Sequence, residues 1–134
     1  MNNKFNIKIF IADDDPFYRM LYNQHLLNLG YKNNLLFDNG TDCINRLYLH
    51  PDIVFLDYHM PPSNGIDILR HIKAEYPDIA LLLISGQSDI QVALDALKQG
   101  ASAYIIKGEE DLQMISGAID KIVKGKFLNE ATAN

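Results

Sequence analysis

Residues 7–16 read Ile7-Lys8-Ile9-Phe10-Ile11-Ala12-Asp13-Asp14-Asp15-Pro16. A short apolar run stops abruptly at three carboxylates and a proline. The run has the length of a buried strand, and Asp15-Pro16 suits a helix N-cap followed by the first helical residue. The same arrangement recurs along the chain. Ile53-Val54-Phe55-Leu56 ends at Asp57, Ala80-Leu81-Leu82-Leu83-Ile84 ends at Ser85, and Ala103-Tyr104-Ile105-Ile106 ends at Lys107. If these runs are parallel strands, their C-terminal ends share one sheet edge, where ligand sites form in open α/β sheets. Carboxylates, a hydroxyl and an ammonium gathered there suit a divalent cation and a phosphoryl group.

Helical signals separate the strand signals throughout. Tyr18, Leu21, Tyr22, Leu26 and Leu29 follow a 3.6-residue period, with Gly30 placed to end that helix. A weaker strand is expected from Asn34 to Phe37. Asn39-Gly40-Thr41 turns the chain into a helix through Ile44, Leu47 and Tyr48, which His50-Pro51 stops. Met60-Pro61-Pro62-Ser63-Asn64-Gly65 is expected to be loop, leading to a helix with Ile66, Leu69 and Ile72 that ends at Tyr76-Pro77. Ser88 with Gln91 reads as a capping box for a helix carrying Ile90, Leu94 and Leu97 and ending at Gly100. The last helix uses Leu112, Ile115, Ala118, Ile119 and Ile122, with Glu109, Glu110 and Asp111 at its positive end. Residues 126–134 show no pattern. The alternation predicts a (βα)5 fold, a doubly wound α/β sandwich around a five-stranded parallel sheet.

A chain of 134 residues, 48% hydrophobic and 22% charged, is the size and composition of one soluble domain. No apolar stretch has membrane-spanning length, and the first six residues lack a signal-peptide core. The single cysteine, Cys43, has no internal partner, and together these features predict a cytoplasmic protein. A net charge of -5 argues against nucleic-acid binding by the chain itself. Lys121, Lys124 and Lys126 suit the negative end of the last helix.

Asp15 is accounted for as a helix cap, but Asp13 and Asp14 are not. Adjacent carboxylates at a buried strand end repel by roughly 4 kcal/mol at 4 Å and intermediate dielectric. A cation relieves that, and Mg²⁺ usually takes one or two carboxylates while sharing phosphate oxygens. Asp57, between an apolar run and a Pro-Pro loop, suits a nucleophile toward phosphorus. Ser85 and Lys107 gain interest from occupying equivalent strand ends, and Gly86 lets backbone approach a ligand. His25 reads as a packed helix residue, His50 and His71 as surface residues, and Cys43 as core. No glycine-rich phosphate loop follows the first strand, so dinucleotide and P-loop readings fail.

Taken in order, these segments resemble the receiver domain of two-component response regulators. The resemblance rests on the acidic pair before Asp15-Pro16, Asn39-Gly40, Asp57 with Met60-Pro61 and Gly65, Ser85-Gly86, and Gly100 to Lys107. It covers residues 5–125 and leaves 126–134 as a tail or truncated linker. It implies a flavodoxin-like sheet of strand order 2-1-3-4-5. It implies Asp57 as phosphoacceptor and Mg²⁺, or Mn²⁺, on Asp14, Asp13, Asp57 and the His59 backbone carbonyl. Lys107 and Ser85 would bind the phosphoryl group, Gly86 would contact it through its backbone, and Tyr104 would be the aromatic switch. A sensor histidine kinase or phosphotransfer protein would be the donor. The face of the fourth helix, fifth strand and fifth helix would meet a partner or a second copy. Gly108 replaces the family's usual proline, so no cis peptide is expected there.

Gly100 to Leu128 is similar to receivers preceding a LuxR/NarL-type DNA-binding domain, so a truncated transcription regulator and a stand-alone receiver both stay open. Two other classes compete. A small aspartyl phosphatase of the haloacid dehalogenase type would use Asp13-Asp14-Asp15, but it needs a later acidic pair where only Asp57 stands. A phosphorylation-independent binding module would have no need of the intact set Asp13, Asp14, Asp57, Ser85 and Lys107.

Overall fold

The structure, a computed structural model, describes residues 6–132, with side chains placed through residue 126. Residue 5, where the domain was expected to begin, and residues 133–134 lie outside the described residues, as do the side chains of Phe127 and Leu128. Strands β1 (Lys8–Ala12), β2 (Asn33–Phe37), β3 (Ile53–Asp57), β4 (Ala80–Ser85) and β5 (Ala103–Ile106) form one sheet. Its order is β2-β1-β3-β4-β5, with every neighbouring pair parallel. The order reverses at β1, which creates the crevice where open α/β sheets bind ligands.

Strand alternation divides the core into two layers. Phe10, Val54, Leu81 and Leu83 face α2 (Gly40–Asn45), α3 (Gly65–Glu75) and α4 (Ile90–Lys98). Ile9, Ile11, Phe55, Leu82 and Ile105 face α1 (Pro16–Asn28) and α5 (Asp111–Thr132). The central strands β1, β3 and β4 are covered on both faces, which is why they read as continuous apolar runs. Cys43 is fully buried in the first layer, and burial pushes its thiol up to about 12.

The helix ends follow local chemistry. Asp15 Oδ1 accepts from the Phe17 N–H at 2.9 Å, and Pro16 occupies the first helical position. Asn39 and Asn64 cap α2 and α3 in the same way. Gly30 and Gly100, at φ 99° and 109°, end α1 and α4. In each, the next N–H returns to a carbonyl of the last turn, Tyr31 to Leu26 and Ala101 to Ala96.

Several expectations need correction. Asp89, not Ser88, caps α4, with Oδ1 accepting from Gln91 and Val92. Its carboxylate meets the second and third N–H groups of the helix, leaving the Ser88 hydroxyl outside the cap. The second helix breaks after Asn45 into a 3₁₀ turn at Leu47–Leu49, and His50 closes it at φ 58°. The segment after β3 is not all loop, because His59–Met60 pairs antiparallel with Ser63–Asn64. The regular helix α5 continues through residues 126–132, where the sequence shows no apolar period. Ile90, Leu94 and Leu97 of α4 face outward, while Val92 and Ala96 make its inner side.

Gly65, the first residue of α3, lies against the end of β3. A Cβ there would come within 2.8 Å of the Asp57 carbonyl oxygen and the Tyr58 Cα, and within 2.6 Å of the Leu83 side chain. Backbone cannot yield as a flexible side chain does. Gly65→Ala should therefore destabilise the protein by about 1–3 kcal/mol, measured as a lower midpoint in urea denaturation. An unchanged midpoint would show that α3 has room to move away.

Candidate functional site

Strand parity assembles the site. Ile11, Phe55 and Ile105 belong to the layer under α1 and α5. Two residues further along each strand, Asp13, Asp57 and Lys107 emerge on the same side of the sheet. Ala12 pairs with Leu56, so the register sets Asp13 beside Asp57. The ladders extend past the strand ends: the Asp13 N–H donates to the Phe37 carbonyl at 3.0 Å, and the Lys107 N–H to the Ser85 carbonyl at 2.8 Å.

Asp13 and Asp57 are only 2% and 5% exposed. Lys107 Nζ stands 3.0 Å from Asp13 Oδ2 and 3.3 Å from Asp57 Oδ1, bridging the two carboxylates. Asp13 Oδ1 accepts the Asp15 N–H at 2.9 Å, and the Asp13 carbonyl accepts from Arg19 Nη1 at 2.8 Å. Asp14 is exposed at the mouth of the site. Carboxylate oxygens of Asp13, Asp14 and Asp57 all lie within 4.8 Å of one another. An all-oxygen set opening to solvent fits a hard divalent cation that keeps several waters.

The electrostatics show what the acidic set lacks. Burial, then the neighbouring charge of Asp13, raises the Asp57 carboxyl from 3.8 to about 7, although Lys107 pulls the other way. Burial alone would lower the Lys107 ammonium, yet its bonds and charges with Asp13 and Asp57 outweigh that and hold it above its ordinary value. One ammonium does not balance two buried carboxylates, and a divalent cation would supply the remaining positive charge.

Ser85 and Gly86 form the next wall. Ser85 is buried, and its Oγ accepts the Gln87 N–H at 3.1 Å. Gly86 is exposed, and a Cβ added there would meet nothing within 4 Å, so its backbone borders open space. The half-buried Tyr104 donates its hydroxyl to the Gln87 carbonyl at 2.7 Å, tying β5 to the loop after Ser85. His59 stands in the short ladder after Asp57 with its ring exposed. Asp15 serves the α1 cap, as expected. His25 Nε2 is 2.7 Å from Ser116 Oγ between α1 and α5, while His50 and His71 are exposed.

Three contributors escape a reading of strand ends. The Tyr18 ring lies 4.2 Å below Lys107 Nζ, Arg19 braces the Asp13 carbonyl, and Asp111 is a buried carboxylate behind the Lys107 loop. Tyr18 and Arg19 lie within the first turn after Pro16, a position that could have marked them. Asp111 looks like an ordinary acidic residue of a helix N-terminus.

The family model for the response regulator receiver domain matches residues 9–119. The chain belongs to this family. Among its relatives, the chemotaxis protein CheY of Thermotoga maritima is 29% identical over 118 residues, covering 87% of this chain and 98% of that one. LuxO of Vibrio campbellii, a luminescence regulatory protein, is 30% identical over 125 residues, covering 90% of this chain and 27% of its own. The receiver spans only 21% to 27% of the LuxO proteins it matches. The structure also aligns with the CheX-CheY-BeF3-Mg complex from Borrelia burgdorferi at TM-score 0.80, 24% identity, and 89% and 90% coverage of the two chains. This receiver is thus a phospho-acceptor module of two-component signalling. Among the described residues, no helix is long and apolar enough to cross a membrane.

The raised Asp57 carboxyl has a stability consequence in metal-free protein. The folded chain holds the Asp57 proton more tightly than the unfolded chain does. The resulting stabilisation is complete below the unfolded value near 3.8 and is lost as pH rises through about 7. In EDTA, wild type should lose stability between about pH 5 and pH 8, and Asp57→Asn should flatten that slope. Adding Mg²⁺ at the higher pH should restore wild type but not Asp57→Asn. Urea denaturation at both pH values checks this, and parallel slopes for the two proteins would count against it.

Proposed function

We propose that Asp57 of this receiver accepts a phosphoryl group from a phosphohistidine on a sensor histidine kinase or phosphotransfer protein. The observation that carries the reading is the bridged cluster at the sheet edge: three carboxylates within 4.8 Å, with Lys107 on two of them. Asp13, Asp14, Asp57 and the His59 carbonyl would hold Mg²⁺, or Mn²⁺ in its place. The cation supplies charge neutralisation for the carboxylates and the phosphoryl oxygens.

An Asp57 oxygen attacks phosphorus. A P–O bond forms as the P–N bond to the donor imidazole breaks, and the leaving nitrogen keeps the bonding electrons and takes up a proton. Lys107, already within 3.3 Å of the Asp57 carboxylate, offers its ammonium to the incoming phosphoryl oxygens. Ser85 donates a hydrogen bond from its hydroxyl to another, and the open backbone at Gly86 lets the group approach. Recruiting the Ser85 hydroxyl disturbs the bond it accepts from Gln87, whose carbonyl holds Tyr104. The phosphoryl group thereby biases a loop and an aromatic side chain.

That loop leads into α4, whose outward Ile90, Leu94 and Leu97 join exposed Ile106 of β5 and Met114 of α5. This apolar α4-β5-α5 face is the surface proposed to meet an output partner or a second copy. A relative matched over 98% of its own length and a DNA-binding transcriptional regulator matched over 27% of its length are both similar to this chain, so stand-alone and transcription-regulating forms are equally served by this site. The proposed setting is the cytoplasm, where phosphohistidine donors present their phosphoryl groups.

Intact-mass spectrometry after incubation with acetyl phosphate tests the proposal. Wild type should gain one phosphoryl group only with Mg²⁺, and Asp57→Asn should gain none. Labelling of Asp57→Asn would move the acceptor elsewhere. Asp14→Ala should weaken Mg²⁺ affinity roughly tenfold or more while the fold persists. Lys107→Ala should leave Mg²⁺ binding largely in place but disconnect phosphorylation from the α4-β5-α5 face. Dimerisation or partner binding that still responded to phosphate in that variant would refute the role given to Lys107.

A further inference from the structure

Lys107 is held from behind as well as in front. Asp111, 4% exposed, is buried at the start of α5. Its Oδ2 accepts the Tyr22 hydroxyl of α1 at 2.8 Å and the Gly108 N–H at 3.4 Å, and its own N–H donates to the Gly108 carbonyl at 3.3 Å. Gly108 adopts φ 155°, a conformation side-chain-bearing residues rarely take, and proline, confined near -65°, cannot take it. The turn that follows Lys107 is therefore intrinsically permissive, and Asp111 supplies side-chain restraint through an N–H that proline would lack. Tyr22 is locked in turn: its ring lies 5.6 Å from that of Tyr18 and 6.3 Å from that of Phe55, two residues before Asp57. Tyr18 closes the circuit beneath the Lys107 ammonium. Burial and Asp111 raise the Tyr22 hydroxyl well above its ordinary value, so it stays a donor throughout the working range.

We propose that Tyr22 and Asp111 are positioning residues for phosphoryl transfer, a buried brace between α1 and the start of α5 that aims Lys107 at Asp57. The brace rests on the phospho-acceptor reading of the site but makes a separate structural claim. Without it, the Gly108 turn has many conformations available, and Lys107 leaves the line between Asp13 and Asp57 for part of the time. The metal-binding carboxylates are anchored independently, Asp13 by the Asp15 and Phe37 backbone bonds and Asp57 by the β3–β4 ladder. Loss of the brace should slow transfer without loosening the cation.

The test compares, in the 134-residue chain, wild type, Tyr22→Phe, Asp111→Asn, Asp111→Leu and the Tyr22→Phe/Asp111→Leu double variant, well below the lowest melting temperature. Three quantities are measured: Gly108 amide exchange by NMR, the rate of phosphoryl uptake from acetyl phosphate at saturating Mg²⁺, and the Mg²⁺ Kd. Tyr22→Phe and Asp111→Leu should each speed Gly108 exchange and slow uptake about five- to tenfold, since small misplacements of a charged group near phosphorus are costly. The Mg²⁺ Kd should stay within about twofold. Asp111→Asn keeps a side-chain oxygen and should recover most of the rate. The double variant should be little slower than the slower single one, because the two residues act as one unit. If Asp111→Leu does not fold, Tyr22→Phe, which lacks a single oxygen atom, carries the test. A lower Tm with an unchanged uptake rate would reduce Asp111 to a helix cap and overturn the proposal. So would a Mg²⁺ affinity falling in step with the rate. Absence of uptake by wild type would sink the phospho-acceptor reading alone. Gly108 exchange would then judge the brace, and unchanged exchange in Asp111→Leu would overturn it.

Discussion

Two carboxylates of like charge are forced together at the edge of the sheet, and much of the site is arranged around that constraint. The parallel register of β1 and β3 leaves Asp13 no other place than beside Asp57. Water reaches them poorly, so their repulsion is screened less than it would be at the surface. Lys107 bridges them, Arg19 braces the backbone of one, and an N–H of the α1 entry meets the free oxygen of Asp13. These contacts tolerate the charge without cancelling it. In the proposed function, that residual imbalance is what would draw a cation and then a phosphoryl group to the edge.

The constraint also explains how the two core layers divide the work. Asp13, Asp57 and Lys107 grow out of the layer under α1 and α5. Ser85 and Tyr104 follow the opposite parity, where Leu83 and Tyr104 join the layer under α3 and α4. The charged groups thus lie on one side of the sheet and the hydroxyl-bearing Ser85 and Tyr104 on the other. The sheet edge is where the two meet, through the backbone of residues 84–87. The outward apolar stripe of α4 lies at the end of that route.

Features set by short-range rules were legible in the sequence. Buried strands are continuous apolar runs because both faces are covered, and the caps at Asp15, Asn39 and Asn64 follow from side chains that satisfy helix N–H groups. Asp13, Asp57, Ser85 and Lys107 could be brought together as candidates because each stands at or just past a strand end, and strand ends share an edge, whereas Tyr104 and the His59 carbonyl are named only through the family resemblance. What periodicity could not reveal was which side of a helix meets the sheet when both sides carry apolar residues. Ile90, Leu94 and Leu97 share a spacing that suits burial, but α4 lies near the sheet border, where Val92 and Ala96 suffice for contact. Two adjacent acceptors, Ser88 and Asp89, made the α4 cap ambiguous, and the carboxylate prevailed. The burial of Asp111 depends on Tyr22, 89 positions away, a relation no local pattern encodes.

Cys43 offers a different kind of consequence. Its sulfur is enclosed on every side, and its thiol is held largely protonated up to about 12. Thiolate, not thiol, is the form that reacts with alkylating and oxidising reagents. The native fold therefore carries a chemically silent sulfhydryl. A cysteine introduced on the surface would be the one reactive handle, so spectroscopic labels can be attached to a chosen helix without first removing the natural residue from the core.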